Sequence, residues 1–101
     1  MAYEMLVGLE VTDDHAYQTY RENMAPILKR YGGGFHYDFT VDQVLMSETH
    51  NPINRVFTIY FKDEQAKNDF FHDPEYLQIK AKYFESSVKA TTIIASYNTD
   101  N

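Results

Sequence analysis

Cysteine is absent from this chain. That removes disulfides, thiolate nucleophiles and cysteine-ligated zinc from consideration. Basic residues are in the minority: nine Lys and Arg against fifteen Asp and Glu leave a formal charge of −6. Nucleic acids and anionic membrane surfaces are held through clustered cations, so neither is an expected partner. A long apolar run is also missing. The opening "MAYEMLVGLEV" has no basic leader region, and Glu4 and Glu10 interrupt its hydrophobic residues. It is expected to be neither a signal peptide nor a membrane span, which makes a cytoplasmic location the expectation. There is no internal repeat and no low-complexity tract.

What is present is a chain of 101 residues, the length of one domain, here 1–101. Hydrophobic residues make up 44% and aromatics 16%, as nine Tyr and seven Phe. Tyrosine suits half-buried positions, with an apolar ring and a hydroxyl that needs a partner. That bias serves a pocket or an interface, and equally a core.

Residues 3–11, "YEMLVGLEV", alternate with a period of two and predict a strand. In "TDDHAYQTYRENMAPILKRYGG", Thr12 or Asp13 can cap a helix, and Tyr17, Tyr20, Met24, Ile27, Leu28 and Tyr31 recur at helical spacing. Pro26 falls inside that pattern and predicts a kink or a fresh turn near Ala25. Gly32 can take the left-handed stop. Residues 34–46 predict a second strand, "ETHNPINR" a loop, and residues 55–61 a third strand. "KDEQAKNDFFHD" reads as a short helix that Pro74 ends and restarts as "PEYLQIKAKYFESS", and residues 90–97 as the last strand.

Strand, helix, strand, strand, helix, strand is the ferredoxin-like split βαβ order. The expected fold is α+β: a four-stranded antiparallel sheet, order 4-1-3-2, with two helices on one face. Alternation then assigns Met5, Val7, Leu9, Phe35, Tyr37, Phe39, Phe57, Ile59 and Phe61 to the helix side. Glu4, Leu6, Gly8, Glu10, His36, Asp38, Thr40, Val56, Thr58 and Tyr60 go to the other side. Buried polar groups without partners cost roughly 1–3 kcal/mol each. The second face should therefore be wet, networked or ligand-lined.

The pieces Tyr20, Pro26, "YGG" at 31–33, "IYFKD" at 59–63 and "DPEY" at 73–76, in this order and spacing, resemble the family called domain of unknown function 1330, in the dimeric α/β-barrel superfamily. The resemblance spans nearly the whole chain. It implies a homodimer whose two sheets pack face to face into a barrel, and no assigned reaction; no cofactor is expected. Relatives in the wider superfamily include cofactor-free monooxygenases, haem-degrading enzymes, isomerases and dehydratases, and the fold alone does not choose among them. Members often carry Arg after the two glycines and again in the last helix, where this chain has Gly34 and Tyr83. An anion-binding role at those positions is therefore not carried over.

The candidate catalytic residues are His36 and Asp38, two apart on one strand and expected to point the same way. A carboxylate beside an imidazole holds its tautomer and raises its basicity, which suits a general base. The alternative is a polar strand face with no chemistry. Candidate ligand-binding residues are Thr58 and Tyr60 beside them, and Tyr20 and Tyr76 on the helices, where core packing competes with pocket lining. No third His or Glu stands at metal-ligand spacing, so no metal is expected. His15, His50 and His72 read as surface residues. Two functions follow as expectations: a protein binding a small organic molecule in a polar, Tyr-rich cavity, or a cofactor-independent enzyme with His36 as base.

Overall fold

The structure, a computed structural model, describes residues 1–100. Its elements are β1 (Ala2–Val11), α1 (Asp14–Arg30), β2 (Gly34–Thr40), β3 (Arg55–Phe61), α2 (Glu64–Phe71), α3 (Pro74–Ile79), a π-helical turn over Lys80–Phe84, and β4 (Val88–Thr99). The four strands form one antiparallel sheet in the order β2-β3-β1-β4. This is the ferredoxin-like α+β arrangement that the element order predicts. No helix among the described residues is long and apolar enough to cross a membrane.

Each helix starts on an aspartate. Asp13 accepts from the Ala16 amide at 3.0 Å, Asp63 from Ala66 at 2.7 Å and Asp73 from Tyr76 at 3.0 Å. Such caps satisfy amides that the first turn leaves open. Gly32, at φ +72°, turns the chain out of α1 in the left-handed region that other residues avoid. Asp73 also accepts from the Tyr31 hydroxyl at 2.7 Å. The "YGG" and "DPEY" segments thus meet: one carboxylate caps α3 and ties it to the end of α1. The Tyr31 bond, backed by the Tyr76 amide, holds the Asp73 carboxyl below its ordinary range.

Met24, Ile27 and Leu28 of α1 pack with Leu9, Ile59 and Phe61 of the sheet and Phe70 of α2, all buried. Each fully buried side chain of this size contributes roughly 1.5–3 kcal/mol. Pro26 does not break α1, which runs without interruption through Arg30. The proline is exposed, so its missing amide hydrogen bond falls on the solvent side. The second helical region divides at Asp73-Pro74 as expected, giving three helices rather than two.

β2 departs most from its sequence pattern. It ends at Thr40, not at residue 46, because its partner β3 begins at Arg55, the residue opposite Thr40. Residues 41–54 are loop, tied back by Val41 N donating to Asn54 O at 2.8 Å. Within β2, Phe35 lies opposite Ile59 but Tyr37 lies opposite Thr58, which leaves His36 without a partner. This β-bulge shifts the alternation by one. Asp38 then lies opposite Phe57 and faces the helices, whereas Tyr37 and Phe39 lie opposite Thr58 and Val56 on the outer face. The assignment of Tyr37 and Phe39 to the core is thereby corrected: they are 63% and 54% exposed.

Candidate ligand cavity between sheet and helices

A cavity of about 270 Å³ lies between the inner sheet face and the helices. β1, β3 and β2 supply Met5, Val7, Leu9, Phe57, Ile59 and Phe35. α1 supplies Tyr17, Tyr20, Arg21 and Met24, and the second helical region Phe71, Tyr76, Lys80 and Phe84. Thr91 and Ile93 of β4, both exposed, form its open side. Lys80 and Phe84 are the first and last residues of the π-helical turn, a local geometry that recurs at functional sites. Ser87, fully buried, holds this turn by donating its hydroxyl to Tyr83 O at 2.7 Å.

Among the described residues, every buried polar side-chain atom of the wall has a hydrogen-bond partner. Tyr20 and Tyr76 are buried, and their hydroxyl oxygens lie 2.9 Å apart. Burial pushes the Tyr20 phenol well above its ordinary value, and the neighbouring Tyr76 hydroxyl adds to the shift. Tyr76 is also raised by burial, with the bond to Tyr20 acting against it. Arg21 Nε donates to the Tyr17 hydroxyl at 2.8 Å. Burial raises the Tyr17 phenol, and the charge of Arg21 offsets part of that rise.

Arg21 is held from two sides. Its guanidinium carbon is 4.0 Å from the ring centroid of Phe35 and 4.7 Å from that of Phe57, which is cation–π geometry. Its terminal nitrogens donate to Asp38 at 3.2 and 3.4 Å. Asp38 also accepts two bonds from Arg55, both 2.8 Å. Burial pushes the Asp38 carboxyl up, but the hydrogen bonds and charges of Arg55 and Arg21 together outweigh it and hold the group below its usual range.

His36 and Asp38 are not brought together, because the bulge turns them to opposite faces. His36 lies on the outer face with its side chain 45% exposed. Its Nδ1 is 2.5 Å from Glu4 Oε1, and its ring stacks on Tyr60 with centroids 4.1 Å apart. Tyr97 donates to the other oxygen of Glu4 at 2.5 Å, a bond that raises the Tyr97 phenol. The carboxylate beside this imidazole is therefore Glu4, not Asp38. Thr58 is buried with its hydroxyl accepting from the Tyr37 amide at 3.0 Å, inside the bulge. Of the expected ligand-binding residues, Tyr20 and Tyr76 line the cavity, whereas Tyr60 and Thr58 do not.

Gly34 explains how Tyr60 comes to lie under His36. A Cβ at position 34 would fall 2.6 Å from the Tyr60 hydroxyl oxygen, so the ring needs glycine across from it. Arg21 and Lys80 were not singled out from the sequence, and Tyr17 only as part of the buried stripe of α1. Arg21 carried the one available signal: it follows Tyr17 by four residues and precedes Met24 by three, beside the buried stripe of α1.

The family described as "Domain of unknown function (DUF1330)" matches residues 2–97. No curated protein matches the sequence. Among solved structures, a protein of unknown function from Rhodopseudomonas palustris superposes with a TM-score of 0.82 at 17% identity, over 99% of this chain and 83% of that one. A dabb family protein with a ferredoxin-like fold from Mesorhizobium loti gives 0.69 at 12% identity, over 99% and 98%. The hydroxynitrile lyase of Passiflora edulis gives 0.67 at 10% identity, over 99% and 95%. At these identities the likeness is one of fold.

Proposed function

We propose that this chain, which belongs to the DUF1330 family, binds a small organic molecule in the cavity between its sheet and its helices. The observation that carries the proposal is the Tyr20–Tyr76 hydroxyl pair, which lines an otherwise largely apolar space. A concave apolar wall with a few placed polar groups is the usual makeup of a small-molecule site. The wall supplies orientation rather than acid–base chemistry near neutral pH. The phenols of Tyr17, Tyr20 and Tyr76 are all raised and stay protonated there, and no histidine lines the cavity.

The test is an amide-resolved NMR titration with a set of one-ring and two-ring fragments. Shifts should cluster on Tyr17, Tyr20, Tyr76 and Phe84. Shifts confined to the outer face around His36 would overturn the proposal.

A second reading is an enzyme of the monooxygenase, isomerase or dehydratase type with His36 as base. It is favoured by one observation, the Glu4–His36 contact, and would need a second copy over the outer face to enclose the imidazole. The one enzyme among the structural relatives cited, the Passiflora hydroxynitrile lyase, shares the fold and lends the reading no residue. His36→Ala separates the two proposals. Cavity binding should survive it unchanged, whereas loss of binding together with an intact fold would favour the second reading.

A further inference from the structure

The charged lining of the cavity has one sign. Among the described residues, Arg21 and Lys80 are the only charged ones on its wall, in a chain with fifteen acidic and nine basic residues. Arg21 does have a carboxylate partner, but a shared one. Asp38 is engaged by Arg55 through two 2.8 Å bonds and reaches Arg21 only at 3.2 and 3.4 Å. The Arg21–Asp38–Arg55 trio thus carries one net positive charge. Each terminal nitrogen of Arg21 uses one N–H on Asp38 and keeps a second. Lys80 takes part in none of the ion pairs among the described residues. Arg21 is nonetheless largely withdrawn from water, its side chain 12% exposed. A buried cation with surplus charge and unused donors favours an anion beside it.

The rest of the wall limits the anion's body. An apolar cavity of about 150 Å³ holds benzene. A volume of about 270 Å³ takes one ring with a charged substituent and leaves little room for more. The rings of Tyr17, Phe35, Phe57 and Phe84 offer aromatic faces and edges to it. The Tyr17 oxygen accepts from Arg21, so its own O–H remains to donate, and the Tyr20–Tyr76 pair has one O–H left over.

We infer that the cavity takes a one-ring aromatic carboxylate, with the ring against the apolar wall and the carboxylate on the donors of Arg21, under the added field of Lys80. The inference rests on the cavity reading proposed above and specifies its ligand class.

The test uses benzoate and its uncharged methyl ester as a matched pair, titrated at neutral pH and followed through the amides of Tyr17, Arg21 and Tyr76. Benzoate should bind about tenfold or more tighter than the ester, and added salt should weaken benzoate alone. Arg21→Gln should lower benzoate affinity about fivefold or more and leave the ester unchanged. Should that variant not fold, Lys80→Gln should lower benzoate binding in the same direction. Equal affinity for the two probes, or preference for the ester, would overturn the anion inference and leave the cavity reading intact. Silence of the cavity amides to both probes overturns the inference too. The cavity reading then falls only if the wider fragment set is silent as well.

Discussion

Tyr20 and Tyr76 show what a buried hydroxyl costs and when it stops costing. Each phenol has the other as its side-chain partner, at 2.9 Å. Removing one oxygen leaves the other without a partner, at roughly 1–3 kcal/mol, whereas removing both leaves two rings and little penalty. Tyr20→Phe and Tyr76→Phe should therefore each lower stability by about 1 kcal/mol, and the double variant by less than their sum. Truncating either to Ala should cost about 3 kcal/mol or more, because a buried ring is lost. Urea titrations of the full cycle check this; strict additivity would mean that the hydroxyls do not depend on each other. Asp38 gives a prediction in pH. Its carboxyl is held below the unfolded value by Arg55 and Arg21 against the opposing effect of burial. A group depressed on folding contributes stability above its unfolded value, and that contribution is lost as pH falls through the folded one. The loss should fall below about pH 4, near the unfolded carboxyl value. Asp38→Asn should flatten that acid limb; acid limbs of equal slope in the two proteins would show that the arginine contacts do not persist in solution.

At the scale of elements, α1 contains an avoidable defect. Pro26 is exposed and interior to a continuous helix, so it withholds one hydrogen bond without filling any core space. An interior proline costs roughly 3 kcal/mol, less where the helix can bend toward solvent. Pro26→Ala should raise stability by about 1–3 kcal/mol in denaturant titration, and a loss would mean that the ring packs against something in solution. β2 shows where sequence reading stops. The period of two in "GFHYDF" is real, and it assigns Phe35, Tyr37 and Phe39 to one face. Facing, however, is decided by pairing, and one unpaired residue at His36 sends Tyr37 and Phe39 outward and Asp38 inward. Nothing in β2 alone encodes that shift, because the bulge is a relation between β2 and β3. β1, β3 and the cap of α1 were legible for the opposite reason: their patterns are local, in alternation, helical spacing and a capping residue just ahead of the first turn; the Asp63 and Asp73 caps obey the same local rule and were not singled out. The cavity was half legible. Tyr20 and Tyr76 stood out by position, whereas the ion pair of Arg21 with Asp38 depends on the bulge that brings Asp38 to the helix side.

The whole molecule is a slab of 32 × 31 × 18 Å, with helices over one sheet face. The other face carries Leu6, Val56 and Tyr60, and the bulge adds the exposed rings of Tyr37 and Phe39 to it. Ile94, the unpaired residue of a second bulge on β4, is 48% exposed. Exposed apolar side chains gathered on one sheet face, here around the Glu4–His36 pair, usually meet a partner. We propose that the partner is a second copy, joined by a two-fold axis so that the same patch faces itself. Charge favours an apolar centre for that contact. A chain of net charge −6 repels its copy at long range, so association calls for apolar burial at the contact. The arrangement also leaves the cavity untouched, because it lies on the helix side of each sheet. Two consequences follow that can be measured together. Sedimentation at micromolar concentration should give a species of twice the 11.9 kDa protomer, and only protomer-sized material across that range would contradict the proposal. Phe39→Asp should place a carboxylate in the patch, on the β2 edge opposite Val56, and shift the equilibrium to monomer while preserving ligand shifts at Tyr20 and Tyr76. If binding were lost along with the dimer, the two faces of the sheet would be coupled, and the cavity would depend on the second copy.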